Sequence, residues 1–298
     1  MSQYPTYHYS KKKLLEGFLQ FLQLQNYDKT SLVNDPKRVE EFLDYMNQKG
    51  AKTIDQMDAK LTTSFLDYLK TRKSKRTKRV ISMATIRNYQ RSLNRFVRYL
   101  HQTNQGHLEI NWELKTKEEK EITILTRKQI ERLYKATSDD LLGMRDRALL
   151  AIFYGCGLRR NEAEHLKLKD VLPDKNLLYV STAKGGKSRY VPMVGKVKTD
   201  MISYITTARP MLLRKEITNK LMIGIRGKAM KGQGMYDAIK RLQQKAEIET
   251  KVGLHSLRHT IATHLLEQGM SLEQIAKFLG HSTLESTQIY THINDKTL

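Results

Sequence analysis

Cysteine is almost absent from this sequence, since Cys156 is the only one among 298 residues. A single cysteine can form no intramolecular disulfide and cannot supply a cysteine-based zinc cluster. Long apolar runs are also missing: the longest extends from Ala148 to Tyr154, too short to cross a bilayer. The first residues, MSQYPTYHYSKKK, are polar and aromatic where a signal peptide has an apolar core. We therefore expect a cytoplasmic protein without membrane contact, in which Cys156 is a buried structural residue.

Acidic residues are too few to balance the basic ones. Lys and Arg number 53 against 31 Asp and Glu, which gives a formal net charge of +22. A charge of that size favours a polyanionic partner through counterion release and steering, although a basic ribosome-associated protein would share it. Apolar residues make up 39% of the chain, enough for folded cores, and the length suggests two domains.

The first 112 residues are predicted to form an all-helical domain. Apolar residues recur at helical spacing in its first helix, at Leu14, Leu15, Phe18, Phe21 and Leu22. A second helix is predicted over Pro36–Gln48, with Asp35 as its N-cap and Gly50 as its terminator. Two further helices are predicted over Asp58–Arg72 and Ala84–Gln102.

The fourth of these helices carries an unusual concentration of arginine. Its apolar stripe consists of Ile86, Leu93, Phe96, Val97 and Leu100, and a second face carries Arg87, Arg91, Arg95 and Arg98. From Lys70 to Arg98 there are eleven Lys or Arg residues and no Asp or Glu. An ordinary solvated helix would mix signs to gain ion pairs, so we expect a face that contacts DNA phosphates. The preceding basic cluster, Lys75, Arg76, Lys78 and Arg79, extends this predicted DNA-binding surface.

The rest of the chain is predicted to be a second domain with a small β-sheet. The mixed-charge run KTKEEKE lies in the predicted linker, residues 113–122, and the second domain covers residues 123–298. Thr126 is the expected N-cap of its first helix, a buried helix follows over Arg145–Tyr154, and another begins near Asn161. The runs LLYVSTA and SRYVPM flank Gly-Gly and predict a hairpin. The fold class is therefore mainly α with a small β-sheet.

Several basic residues of this second domain could act on a phosphate. Arg159 follows a glycine-rich turn at a helix start, where a guanidinium can bind two oxygens of one phosphate, and Glu162 could hold such an arginine in place. An ordinary surface arginine would also fit that position. Lys184 and Lys187 flank the Gly-Gly turn, and a lysine there could protonate a leaving oxygen if nearby cations depress its pKa. Both could equally be solvated lysines.

The segment HSLRH offers a second arginine and a histidine. His255 and Arg258 are three residues apart, so they face the same way on a helix. Leu257, Ile261 and Leu265 supply an apolar face without His255. Metal binding by the histidines is not expected, because the glutamate of a His-Glu-x-x-His site is missing and no cysteine is close.

Tyr290 is the predicted nucleophile. An aromatic residue near a C-terminus is more often part of a core, but the flanking sequence STQIYTH is mostly polar and His281 precedes it. A phenol with its ordinary pKa near 10 is a weak nucleophile, and a site lined with arginines, a lysine and histidines would favour the phenolate. Attack on a phosphodiester would form a covalent phosphotyrosine. That linkage keeps the bond energy, so neither ATP, a metal nor another cofactor is required.

In chain order, the segments GLR, KGGKSRYVP, HSLRH, LGH and IYTH resemble the tyrosine recombinases, and most closely their Xer-type and phage or transposon integrase members. The resemblance spans the catalytic half of the chain. It implies that Arg159 and Arg258 clamp the scissile phosphate and that Lys184 protonates the leaving 5′-oxygen. It also implies that His255 and His281 bind phosphate and assist proton transfer. Tyr290 would then form the 3′-phosphotyrosyl bond.

The family resemblance also implies an assembly. Such enzymes enclose double-stranded DNA between two domains and act as homo-tetramers on two DNA sites, exchanging strands through a Holliday junction. Accessory DNA-bending proteins or a partner recombinase can take part. Only eight residues follow Tyr290, where many relatives carry a further helix that docks into a neighbouring subunit, and no arm-binding domain is expected before the first helix. A DNA-relaxing enzyme similar to type IB topoisomerases, or a non-catalytic DNA-binding protein, are the alternatives.

Overall fold

The computed structural model describes residues 10–74, 77–114, 122–181, 188–214 and 216–281. The chain divides into two compact units, Met1–Glu118 and Glu119–Leu298. The first unit contains the helices α1 Lys11–Leu24, α2 Lys29–Gln48, α3 Ala59–Thr71 and α4 Met83–Gln102. In the second unit the first helices are α5 Arg127–Lys135, α6 Leu141–Leu150 and α7 Arg160–His165. Its strands are β1 Val171–Leu172, β2 Leu177–Val180 and β3 Arg189–Pro192. The helices that follow are α8 Lys196–Ser203, α9 Arg209–Leu213, α10 Gly232–Lys245, α11 Leu254–Glu267 and α12 Leu272–Leu279.

The first unit is a four-helix domain closed around aromatic side chains. Phe18, Phe42, Phe65 and Phe96, one from each helix, are fully buried, and Phe18 meets Phe96 edge to face with ring centroids 5.3 Å apart. Helix α1 buries the predicted positions Leu14, Phe18, Phe21 and Leu22, and α3 and α4 lie within one residue of their predicted bounds. Trp112 is also buried here, and its Nε1 donates to the carbonyl of Thr62 at 3.1 Å.

Helix α2 begins earlier than predicted. Its N-cap is Asp28, whose carboxylate accepts two backbone N–H groups of the first turn, so the helix starts at Lys29 and Pro36 lies inside it. The prediction of Asp35 as N-cap is wrong because the Asp35 carboxylate is buried and accepts hydrogen bonds from Arg95 and Ser92 of α4. These tertiary contacts offset the free-energy cost of the helical hydrogen bond that Pro36 cannot donate.

The second unit surrounds helix α6, which is almost entirely buried. Asp140 caps it, so it starts four residues before the predicted Arg145, and it continues into a π-helical turn over Ala151–Gly155. Cys156 directly follows this turn and is fully buried, as predicted, and burial raises the pKa of its thiol to about 12. A thiol with that pKa is almost entirely protonated at neutral pH and is a poor nucleophile.

A small antiparallel sheet with the order β1-β2-β3 lies in the second unit. The predicted strands β2 and β3 pair with Val180 opposite Arg189 and Tyr179 opposite Tyr190. The short strand β1 was not predicted, because two residues are too few to show an alternating pattern. With helices in both units and one small sheet, the predicted fold class is confirmed. Over the described part of the chain, no helix has both the length and the apolar character that a bilayer crossing requires.

Candidate active site

Arg159 is placed at the entrance of α7 by a glycine turn. Gly157 has φ +61°, and a Cβ there would lie 2.8 Å from Leu279, so only glycine lets the chain pass this close to α12. Arg159 then acts as the N-cap of α7, where its backbone N–H donates to Glu162 Oε2 at 2.8 Å. The side chain returns over the same carboxylate, with Nη1 3.0 Å from Glu162 Oε1.

Arg258 reaches the same turn from the opposite side. It lies on α11, is almost fully buried, and donates from Nη1 to Gly157 O at 2.6 Å and from Nη2 to Leu279 O at 2.7 Å. Arg159 donates to the next carbonyl, that of Gly280, at 3.1 and 3.2 Å from its two terminal nitrogens. The two predicted phosphate clamps are therefore brought together at the end of α12.

Helix α12 ends in a shape that allows this convergence. Gly280 is its C-cap, with a left-handed φ of 66°, and the chain reverses there so that His281 N donates back to Ala276 O at 3.0 Å. A Cβ on Gly280 would lie 2.7 Å from the guanidinium of Arg189. The Leu-Gly-His sequence thus needs its glycine both for the turn and for the close approach of an arginine.

Glu162 is the anionic centre of the site. Its carboxylate is largely buried, is 3.0 Å from both Arg159 and Arg189, and is 3.8 Å from Arg258. Burial raises the pKa of this carboxyl, but hydrogen bonds from Arg189 and the Arg159 backbone, with the charge of Arg258, leave the pKa below its usual value. The prediction that Glu162 holds an arginine in place is confirmed, and it contacts more than one.

The histidines surround this cationic cluster. His255 lies one turn before Arg258 on α11, and burial together with the charges of Arg258 and Arg159 lowers its pKa. For His281, burial and the charges of Arg258 and Arg159 lower the pKa to about 4, and His259 reaches about 4 through burial and the charge of His255. Burial and the neighbouring charges therefore favour the neutral form of these imidazoles.

Arg189 is the residue of this site that the sequence analysis missed. It opens strand β3, and its guanidinium pairs with both oxygens of Glu162 while its Nε donates to Phe278 O at 2.9 Å. Its segment served to predict a strand and contributed to the family resemblance, but no role was assigned to Arg189 itself. No local signal pointed to Arg189, because Glu162 already has basic residues within one helical turn on either side, Arg159 and His165.

Two predicted catalytic residues, Lys184 and Tyr290, lie outside the described residues. The strands that bracket the predicted hairpin are paired at Val180 and Arg189, and Ser181 lines a groove beside Arg159. Lys167 and Lys220 line the same groove, which is therefore basic and open next to the guanidinium.

The predicted DNA-binding residues belong to the first unit. Among the four α4 arginines, Arg91 and Arg98 are exposed and Arg87 is partly exposed. Arg95 makes contacts within the domain instead. It pairs with Asp35, and its guanidinium lies 4.4 Å from the ring centroid of Tyr27. In the turn before α4, Lys78 and Arg79 are exposed, and Lys75 and Arg76 lie outside the described residues.

Residues 123–297 match the model of the phage integrase family. The chain belongs to the phage integrase family. Tyrosine recombinase XerD of Staphylococcus aureus (strain N315) is 31% identical to this integrase over 286 residues, which cover 94% of each chain. Tyrosine recombinase XerC of Bacillus subtilis (strain 168) is 31% identical over 295 residues, 96% of this chain and 94% of the relative.

The fold of the integrase is also similar to a solved structure. The Tn1549 transposon integrase in complex with circular intermediate DNA has a TM-score of 0.71 at 19% identity, over 96% of this chain and 99% of that one. The predicted resemblance to the tyrosine recombinases is confirmed, and so is the enzyme class, a tyrosine-type site-specific recombinase.

Proposed function

We propose that this integrase cleaves and rejoins DNA strands at specific sites through a covalent 3′-phosphotyrosyl intermediate on Tyr290. One observation carries the proposal: Arg159 and Arg258, from α7 and α11, converge on the carbonyls of Leu279 and Gly280, directly before His281. Cationic side chains from two segments that are distant in sequence thus meet at the end of α12. A phosphodiester that gains negative charge in its transition state would be stabilised there.

Arg159 is the clamp most ready to receive the phosphate. Its side chain is 39% exposed, whereas that of Arg258 is 3% exposed. A guanidinium has five N–H donors, so the carbonyl and carboxylate contacts of Arg159 still leave it able to donate to a phosphate oxygen. Arg258 supports the same phosphate from beneath while fixing the turn that leads to His281.

The proposed cleavage step is an exchange of one phosphoester for another. Tyr290 Oη attacks the phosphorus and loses its proton, the bond from phosphorus to the 5′-oxygen breaks, and Lys184 gives that oxygen a proton. Burial first, and then the charges of nearby arginines, depress the pKa of His255 and His281. A phosphate in the site would offset the arginine charges, so that either imidazole becomes a better acceptor of the phenol proton. Rejoining reverses these steps with a different 5′-hydroxyl.

Strand exchange needs more than one active site. We propose that four copies assemble on two double-stranded DNA sites and exchange strands through a Holliday junction, with accessory DNA-bending proteins or a partner recombinase where required. The basic surfaces of both units, the α4 arginines and the groove beside Arg159, would contact the DNA backbone. The chemistry as proposed requires no metal or other cofactor, so cleavage should persist in EDTA.

The test is to incubate the integrase with fragmented genomic DNA, denature the mixture, recover DNA attached to protein and sequence it. Site-specific recombination predicts a few recurring sequences, each with the protein on a 3′ end. Evenly distributed attachment, together with relaxation of any supercoiled plasmid by the monomer, would favour the topoisomerase-like alternative. No attachment to any DNA would contradict the proposed function.

A further inference from the structure

Two segments that carry proposed catalytic residues, α7 and the end of α12, meet at Arg189. Its two terminal nitrogens lie 3.0 Å from Glu162 Oε1 and 3.0 Å from Glu162 Oε2, a fork-on-fork pairing that fixes the carboxylate in one orientation. That carboxylate in turn holds both the backbone N–H and the guanidinium of Arg159. Arg189 therefore acts on the first phosphate clamp through one intermediate residue.

The third nitrogen of Arg189 fixes the other side of the site. Nε donates at 2.9 Å to the carbonyl of Phe278, two residues before Gly280, where Arg159 donates. Gly280 allows this approach because it has no Cβ, which would lie 2.7 Å from Arg189 Nη1. The same guanidinium thus holds α7 through Glu162 and the end of α12 through its backbone.

Arg189 is also the first residue of β3. It is paired with Val180 at the end of β2, so its backbone is fixed in the sheet while its side chain reaches the site. Its side chain and that of Glu162 are each only 8% exposed, so direct contact of Arg189 with a DNA phosphate is not what its geometry provides.

We propose that Arg189 is a positioning residue that sets the distance between the Arg159 clamp, the turn before His281 and strand β3. This inference rests on the proposed function, since it names the residue that holds the parts of that active site at fixed distances from one another. Loss of the fork would leave Glu162 free to pull Arg159 away from the phosphate, and a displacement of about 1 Å can cost on the order of 10²-fold in rate. DNA affinity would be little affected, because Arg189 lies beneath the surface.

The experiment compares Arg189→Gln and Arg189→Lys with a matched control, Arg145→Gln. Arg145 is also buried in the same unit, with its side chain 2% exposed, and donates from Nε and Nη2 to Asp146 Oδ1. Single-turnover formation of the covalent adduct is measured on a DNA site recovered as above, well below the melting temperature of every variant. We expect Arg189→Gln to lose on the order of 10²-fold with unchanged DNA affinity. Arg189→Lys should stay slow, because an ammonium cannot span both carboxylate oxygens and a carbonyl.

A double-variant cycle separates positioning from general damage. If Arg189 acts through Glu162, then Glu162→Gln with Arg189→Gln should be about as slow as Glu162→Gln alone. Losses that multiply, a comparable loss in Arg145→Gln, or a wild-type rate in Arg189→Gln would each overturn the proposal.

A second readout needs no DNA and so distinguishes failure of this proposal from failure of the proposed function. Burial is the main cause of the lowered pKa of His281, and the charge of Arg189 adds to those of Arg258, Arg159 and His259. Titration of the His281 imidazole by NMR should show a higher pKa in Arg189→Gln and no change in Arg145→Gln. An unchanged His281 pKa in Arg189→Gln would overturn the positioning role even if the wild-type integrase forms no adduct on any DNA.

Discussion

Arg159 and Arg258 donate to consecutive carbonyl groups, Gly280 O at 3.1 Å and Leu279 O at 2.7 Å, although they come from different helices. The turn between α12 and His281 is therefore a common anchor for both guanidiniums. The position of this turn and the positions of the two arginines are therefore set together. In the sequence, the predicted nucleophile Tyr290 follows this turn.

Replacement of Arg159 tests the more exposed clamp. We expect Arg159→Ala to slow formation of the covalent adduct by roughly 10²–10³-fold, as removal of one preorganised donor does elsewhere. Melting temperature should change little, because this side chain is 39% exposed. The matched control is Arg132→Ala, an exposed arginine on α5 that donates to the carbonyl of Glu247. Equal adduct rates in the two variants would reject the role of Arg159.

The exposed arginines of α4 should govern the salt dependence of DNA binding. If Arg91 and Arg98 each contact a phosphate, the slope of log K against log salt should become less negative by about 0.9 for each one replaced by alanine. Fluorescence anisotropy over a range of salt concentrations gives this slope. A double variant with the slope of the wild type would show that this face does not contact DNA.

Arg95 should contribute to folding stability, unlike Arg91 and Arg98, because it pairs with buried Asp35. We expect Asp35→Ala to lower the free energy of unfolding by roughly 1.5–3 kcal/mol, since the buried Ser92 hydroxyl and the partly buried Arg95 guanidinium lose their charged acceptor. Asp28→Ala, which removes only the N-cap of α2, should cost about 1 kcal/mol. Urea denaturation of the full chain compares the two. A larger loss in Asp28→Ala than in Asp35→Ala would contradict this assignment.

The histidines of the site predict a dependence of stability on pH. The folded integrase holds the pKa of His281 and His259 at about 4, below the ordinary value of 6.5, because burial and nearby cations oppose their protonation. Between those two values the unfolded chain binds more protons, so the free energy of unfolding should fall as pH is lowered from about 6.5 to 4.

Urea denaturation at several pH values measures this effect, and His281→Gln is the informative variant. It should reduce the loss of stability on acidification, since one of the depressed imidazoles is gone. Equal pH dependence in the variant and the wild type would show that His281 does not titrate as described.

Local sequence patterns were sufficient for most of the fold. Helix α4, the paired strands β2 and β3 and the burial of Cys156 follow from spacing, turn residues and hydropathy, which act over a few residues. The start of α2 did not follow, because Asp35 next to proline has the local signature of an N-cap while its carboxylate is used by α4. A contact between residues 60 positions apart leaves no trace in a short window.

The candidate site shows the same division. Arg159, His255, Arg258 and His281 could be predicted because each lies in a short segment of unusual composition. Arg189 could not, since a basic residue at the start of a hydrophobic strand is common and its partners Glu162 and Phe278 are distant in sequence. Sequence identified the residues that would touch the phosphate better than the residue that would hold them in place.

The most direct test of the central claim is to identify the amino acid that becomes linked to DNA. Trapped adducts are digested with a protease and a nuclease, and the modified peptide is analysed by mass spectrometry. The account predicts a nucleotide joined through its 3′-phosphate to Tyr290, and no adduct from Tyr290→Phe, which should still bind DNA. An adduct on another residue, or a normal amount of adduct from Tyr290→Phe, would contradict it.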